Sequence, residues 1–243
     1  FHISHESPGI IAIAGESGSG KTTLGLMTLG FLDPSEGEVI YDGSNIKRLK
    51  GDSRFNFRKE VQAVFQDPFA VYNPFYKVDH IFEVPIKKFN LAGSKTQAKT
   101  MIEEALEGVG LRPNETLGRF PHQLSGGQRQ RVSVARALTV EPKFIVAEEA
   151  VSMVDVSIRV SLLNMLSRLK NEFDVTVLFI THDLALAKYF AWDGRITVMY
   201  LGRIVEEGLL THIGSERTWG LIVPAVVAKS AVSLTARSIY CCS

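Results

Sequence analysis

The stretch GlyGluSerGlySerGlyLysThr at residues 15–22 spaces glycines, a lysine and a threonine as a phosphate-binding loop does. An apolar run, IleIleAlaIleAla (10–14), leads into it, and a helical stretch from about Lys21 to Gly30 leaves it. That strand–loop–helix context is the one the pattern requires. Glycines let successive backbone N–H groups curl around the β- and γ-phosphates, and the helix N-terminus adds its positive dipole end. Lys21 is placed to reach the terminal phosphates, and Thr22 to put its hydroxyl on Mg²⁺. The candidate nucleotide contacts are Gly15, Ser17, Gly18, Ser19, Gly20, Lys21, Thr22 and Thr23. The chemistry is nucleoside triphosphate binding; the loop alone leaves the kind of NTPase open.

Two further stretches carry chemistry-bearing residues. In LeuSerGlyGlyGlnArgGlnArg (124–131), Ser125, Gly126 and Gly127 open a second helix. Ser125 and the N–H groups of Gly126 and Gly127 make another anion cradle, while Ser125 also reads as a plain helix N-cap; both can hold together. In ValAlaGluGluAlaValSerMetValAsp (146–155), two acids stand side by side at the end of an apolar run.

The elements that must position these groups follow from periodicity. Continuous apolar runs at 10–14 and 144–147 read as buried strands, and ValThrValLeuPheIle (175–180) as a further strand. Shorter strands are expected at 38–41 and 61–65, and a hairpin at 195–200 and 203–206, split by LeuGly. From about 78 to 138 the period is helical. Residues 95–109 place Ala98, Ile102, Ala105, Leu106 and Val109 on one face, and 126–139 form another helix. A further amphipathic helix over 157–173 carries Val160, Leu163, Met165, Leu166 and Leu169 as its apolar residues. Alternating strands and helices predict an α/β core with a mostly parallel sheet. The expected organisation is a first core part at 1–85, a helical subdomain at 86–139, a second core part at 140–210 and a divergent tail at 211–243.

Composition narrows the class. The chain has 243 residues, 45% hydrophobic and 22% charged, which suits a soluble globular protein of one or two domains. A formal charge of +1 gives no bulk electrostatic pull toward nucleic acid. Cys241 and Cys242 are adjacent, so they staple no distant loop, and a reducing compartment fits. No apolar run approaches the ~20 residues of a membrane span. Phe1 is not an initiator methionine, so the chain is expected to begin inside a longer protein.

Taken with the phosphate loop, LeuSerGlyGlyGln resembles the nucleotide-binding subunits of ABC transporters. ValPheGlnAspPro (64–68), continuing to AsnPro at 73–74, is similar to the oligopeptide and dipeptide importer group, which includes some sugar-oligomer importers. The resemblance runs from about Phe1 to Gly208. It implies a P-loop, RecA-like α/β core with a mixed, mostly parallel sheet, an antiparallel β portion and an inserted α-helical subdomain. ATP and Mg²⁺ are the implied cofactors. Gln66 would touch the Mg²⁺ shell and report nucleotide state. Ser125, Gly126, Gly127 and Gln128 would close on the ATP of an opposite cassette. His182, in IleThrHisAsp (180–183), matches the switch histidine at the γ-phosphate, and Asp155 the loop that links the two ATP sites. In the family the loop aspartate lies seven residues after the first of two acids. That register puts Glu148 where Asp is usual, near Mg²⁺, and Glu149 where the catalytic glutamate is usual; Ala150 replaces a proline. The adenine-stacking aromatic of the family lies upstream of the position matching Phe1.

The implied partners are a second ABC ATPase subunit, two membrane permease subunits and, indirectly, an extracellular solute-binding protein, with no nucleic acid. The implied place is the cytoplasmic face of the membrane, peripherally. A non-transport ABC ATPase of the DNA-repair type would need a long coiled coil between loop and signature. Lys21 and Ser125 are only 104 residues apart, with no sustained heptads. A slow or degenerate regulatory subunit stays open through Glu148.

Overall fold

A computed structural model of the chain describes residues 9–66, 72–152 and 154–209. Asp67 and Pro68, in the glutamine loop that carries Gln66, and the tail at 211–243 with its two cysteines, lie outside the described residues. The described chain forms two compact units and passes between them at 9/10, 48/49 and 179/180.

The first unit holds Gly9 and residues 49–179 of the described chain. Its strands are β4 (Val61–Val64), β5 (Phe144–Glu148) and the start of β6 (Thr176–Thr181), in the order β4-β5-β6. β4 and β5 run parallel, in register from Val61↔Phe144 to Val64↔Ala147. Thr176 N–H donates to Lys143 O at 2.9 Å, tying β6 to the entry of β5. Ile145, Val146 and Ala147 are 0–1% exposed. Strands buried on both faces read as unbroken apolar runs rather than alternation, as this one does. Between β4 and β5 in chain order lie α3 (His80–Lys88), α4 (Lys95–Gly108), α5 (Pro113–Thr116) and α6 (Gly126–Leu138), where the helical insertion is expected. On α4, Ile102, Ala105 and Leu106 are buried, as is Val109 just beyond it, while Ala98 is only half-buried.

Helix α7 (Val156–Phe173) follows β5. Leu163, Met165, Leu166 and Leu169 face the core as expected, but Val160 is 47% exposed and Leu162 takes a core position instead. An 18-residue helix with apolar residues at 160, 162, 163, 165 and 166 is ambiguous over which stripe turns inward. Packing against the sheet decides it.

The second unit holds 10–48 and 180–209 of the described chain. β1 (Ile10–Gly15) pairs parallel with β7 (Arg195–Tyr200), and β7 pairs antiparallel with β8 (Arg203–Leu209). Ala12, Ile13, Ala14 and Ile196 are fully buried. The hairpin turn expected at LeuGly is present, with Leu201 and Gly202 both at positive φ (46° and 78°). Two consecutive left-handed residues match the twist of the flanking strands. The expected strand at 38–41 shrinks to β2 (Ile40–Tyr41), which pairs with β3 (Ser44–Asn45) alone. Ile40 is 55% exposed, so little burial supports a longer strand. α1 (Lys21–Thr28) follows the phosphate loop. Two helices had no counterpart in the periodicity, α2 (Gly51–Glu60) in the first unit and α8 (Leu184–Phe190) in the second.

The strands are thus mixed and mostly parallel, with helices throughout and an antiparallel portion, the fold class expected. Among the described residues, no helix is long and apolar enough to cross a membrane.

Candidate functional site

In the second unit the phosphate loop joins β1 to α1. Gly18 and Gly20 take left-handed backbone (φ 79° and 97°), which residues with a Cβ rarely adopt. Gly15 is required for a different reason. A Cβ there would lie 2.2 Å from Met199 O of β7 and 2.8 Å from Ser19 Oγ. The loop is braced by Ser19 N–H donating to Glu16 O (3.1 Å) and Gly202 N–H donating to Ser19 O (3.0 Å). Ser19 is 2% exposed and Lys21 6%. The Lys21 ammonium donates to Gly15 O at 2.8 Å, to Glu16 O at 2.7 Å and to Ser19 Oγ at 3.4 Å. A buried lysine needs such partners to remain charged. Those carbonyls hold it as a fixed positive point at the loop. Ser17, Thr22 and Thr23 are exposed.

His182 lies in the same unit, just past β6, and is exposed. Asp183 beside it caps α8, its Oδ1 accepting from the N–H groups of Ala185 (2.8 Å) and Leu186 (3.1 Å). Asp183 N–H in turn donates to Thr181 Oγ1 at 3.1 Å. His182 is thereby fixed between a strand end and a capped helix start.

In the first unit the register brings Gln66 and the two acids to one edge. Val64 pairs with Ala147, so Gln66, two residues beyond β4, and Glu149, one beyond β5, both follow the C-terminal ends of adjacent parallel strands. Open α/β sheets bind ligands at that edge. Gln66 is exposed; Glu148 and Glu149 are half-buried. Glu149 takes left-handed backbone, φ 47°. For a residue with a Cβ this costs about 1–3 kcal/mol, and such positions cluster at functional sites. The Ser152 hydroxyl donates to Glu149 Oε2, and Ser152 N–H donates to Glu149 O at 2.9 Å. Ala150, where a proline was expected, is buried.

Helix α6 opens on a capping box. Ser125 Oγ accepts from Gln128 N–H (3.2 Å), and Gln128 Oε1 accepts from Ser125 N–H (2.9 Å). Gly126 and Gly127 occupy the first turn, where N–H groups have no acceptor within the helix. A Cβ on Gly126 would meet open space, whereas one on Gly127 would lie 2.9 Å from Ile158 Cγ2 of α7. Asp155 occupies the N-cap position of α7, is exposed, and makes no side-chain capping bond.

Sequence reasoning missed the tie between α6 and the glutamine loop. Gln130, 2% exposed, donates from Nε2 to Phe65 O at 3.3 Å. Tyr72 donates its hydroxyl to Arg129 O at 2.9 Å, and burial pushes its phenol well above the usual range. A polar glutamine inside an apolar helix face was the signal available at Gln130. Nothing in the periodicity pointed to Ser152.

The donors expected for magnesium are the Thr22 hydroxyl, the Gln66 amide oxygen and the Glu148 carboxylate. All are hard oxygen donors, the chemistry Mg²⁺ takes. Among the described residues no group of three or more His, Cys, Asp or Glu could hold a metal alone.

Strand, glycine loop, anchored lysine and sheet order define a P-loop α/β protein. A family model described as ABC transporter matches residues 2–152, and the chain belongs to that family. It is 45% identical over 199 residues to the oligopeptide transport ATP-binding protein OppF of Streptococcus mutans, covering 82% of this chain and 64% of that one. It is 42% identical over 197 residues to the oligopeptide transport ATP-binding protein AppF of Bacillus subtilis, covering 81% and 59%. The chain thus spans less than two thirds of these relatives. It also resembles the solved ATP-binding cassette MJ0796, a dimer in a post-hydrolysis state bound to ADP and Pi. There the TM-score is 0.72 and the identity 28%, with 86% of this chain and 88% of that one covered.

Proposed function

We propose that this chain is the ATP-binding and ATP-hydrolysing subunit of an ABC importer for oligopeptides or similar solutes. The observation that carries the reading is the phosphate loop. A buried Lys21 held by loop carbonyls, just after the left-handed Gly18 and Gly20 and at the start of a helix, is built to receive a triphosphate. The likeness to two oligopeptide transport ATP-binding proteins favours the peptide branch.

In this reading the loop binds the β- and γ-phosphates through Gly15, Ser17, Gly18, Ser19, Gly20, Lys21, Thr22 and Thr23. Thr22, Gln66 and Glu148 hold Mg²⁺, which when bound neutralises developing phosphate charge. Glu149 orients and polarises the attacking water, and His182 contacts the γ-phosphate. Phosphoryl transfer needs mostly positioning and electrostatics, so a rigid carboxylate suits the task. Ser125, Gly126, Gly127 and Gln128 face the ATP of an opposite cassette, Gly126 and Gly127 through their first-turn N–H groups, with Asp155 linking the two sites. The MJ0796 dimer supports this pairing. Two separate permeases carry the solute, and an extracellular binding protein delivers it. The subunit works at the cytoplasmic face of the membrane, docking through the helices of 86–139 and the glutamine loop.

The test is association. Glu149→Gln with ATP and Mg²⁺ should double in mass by light scattering, alone or with its cognate ATPase, and fall back without ATP. A protein that stays monomeric in both settings contradicts the sandwich. One observation favours a second reading, a slow regulatory subunit: Glu148 carries one methylene more than the usual aspartate.

A further inference from the structure

We propose that Ser152 is a positioning residue for Glu149, a role that rests on the proposed function above. Both ends of Ser152 grip the same glutamate. Its hydroxyl donates to the carboxylate Oε2, and its N–H donates to the backbone carbonyl at 2.9 Å. The two intervening residues cannot swing, because Ala150 is 4% and Val151 1% exposed. Glu149 itself sits at φ 47°, a conformation that must be held by its surroundings. The result is a closed turn from 149 to 152 that fixes the glutamate at backbone and side chain together.

The bond to Oε2 restrains how the carboxylate is turned. A glutamate has three side-chain torsions, and each anchor on its carboxylate narrows the staggered rotamers it samples. Loss of alignment by about 1 Å costs on the order of 100-fold in rate. Ser152 is not among the residues proposed to bind ATP, so nucleotide binding should be indifferent to it. The same turn leads three residues on to Asp155. Displacing that segment would withdraw the hydroxyl and release the carboxylate.

The test compares Ser152→Ala, Ser152→Thr, Glu149→Gln and the double variant of Ser152→Ala with Glu149→Gln, in the purified full chain. Ser152→Ala should lower kcat by about tenfold to 100-fold. KM for ATP and binding of a fluorescent ATP analogue should stay within about twofold. Ser152→Thr, which keeps the hydroxyl, should restore most of the rate. In the Glu149→Gln background Ser152→Ala should change nothing further, because the pair acts as a unit. Wild-type kcat in Ser152→Ala, beside an inactive Glu149→Gln, overturns the positioning role and leaves the reading of Glu149 standing. Full activity in Glu149→Gln overturns that reading, and this proposal with it. If Ser152→Ala melts below the assay temperature, Ser152→Cys carries the test, since it keeps the volume and weakens the donor; wild-type kcat there overturns the proposal.

Discussion

Glu148 and Glu149 are adjacent in sequence yet differ in setting. Glu148 ends β5 in strand geometry, whereas Glu149 turns into left-handed backbone and is bonded to Ser152. A difference of setting between neighbouring acids is how two carboxylates acquire two roles. Shortening Glu148 to the usual aspartate removes one methylene while keeping the charge. Magnesium tolerates little deviation from octahedral geometry at short range. Steady-state phosphate release from Glu148→Asp should therefore match or exceed the wild-type rate. A fall of tenfold or more would mean the backbone has adjusted to the longer side chain.

At the scale of elements, α6 binds the site together within its unit. Its first turn is packed unequally, with open space over Gly126 and Ile158 close to Gly127. Gly126→Ala should leave the melting temperature unchanged or raise it, since alanine is the better helix former. Gly127→Val must displace a stiff β-branched side chain. Overpacking of that kind costs about 1–3 kcal/mol, or roughly 2–10 °C in a chain of this size, readable by calorimetry. The helix is also tied to the glutamine loop through Tyr72. Its folded-state pKa is raised by burial above the ordinary 10.0, so the folded state holds the phenolic proton more firmly than the unfolded chain. That contribution is fully present below pH 10 and is lost as the pH climbs through and beyond it. Alkaline titration of stability should show a shallower decline in Tyr72→Phe than in the wild type. That variant should also be about 1 kcal/mol less stable at neutral pH for want of the bond to Arg129 O.

Which elements were legible follows from burial. β1, β5 and β6 are apolar on both faces, and their runs stand out. Helix α2 buries only Phe57, so it has no stripe to read. Helix α8 has seven residues, too few for a period, although Asp183 marks its start. On α7 the helix was clear and its inward face was not, because leucines occupy several stripes. The phosphate loop and the start of α6 were legible because backbone chemistry dictates their residue types locally. The bonds Ser152–Glu149, Gln130–Phe65 and Tyr72–Arg129 were not. The last two join residues far apart in sequence, and the first depends on a single left-handed residue.

At the scale of the whole molecule, the central claim is that the chain couples ATP binding to hydrolysis through Glu149. A family match over residues 2–152 and a fold like that of a solved ATP-binding cassette place it among ABC transporter proteins. The direct measurement is phosphate release under saturating ATP and Mg²⁺, with ATP-analogue binding measured on the same samples. The wild type should turn over. Glu149→Gln should bind the analogue as tightly and lose hydrolysis by at least 100-fold, the order expected when a positioned carboxylate is removed from a phosphoryl-transfer site. Undiminished hydrolysis by Glu149→Gln, or loss of hydrolysis accompanied by equal loss of binding, would contradict the account.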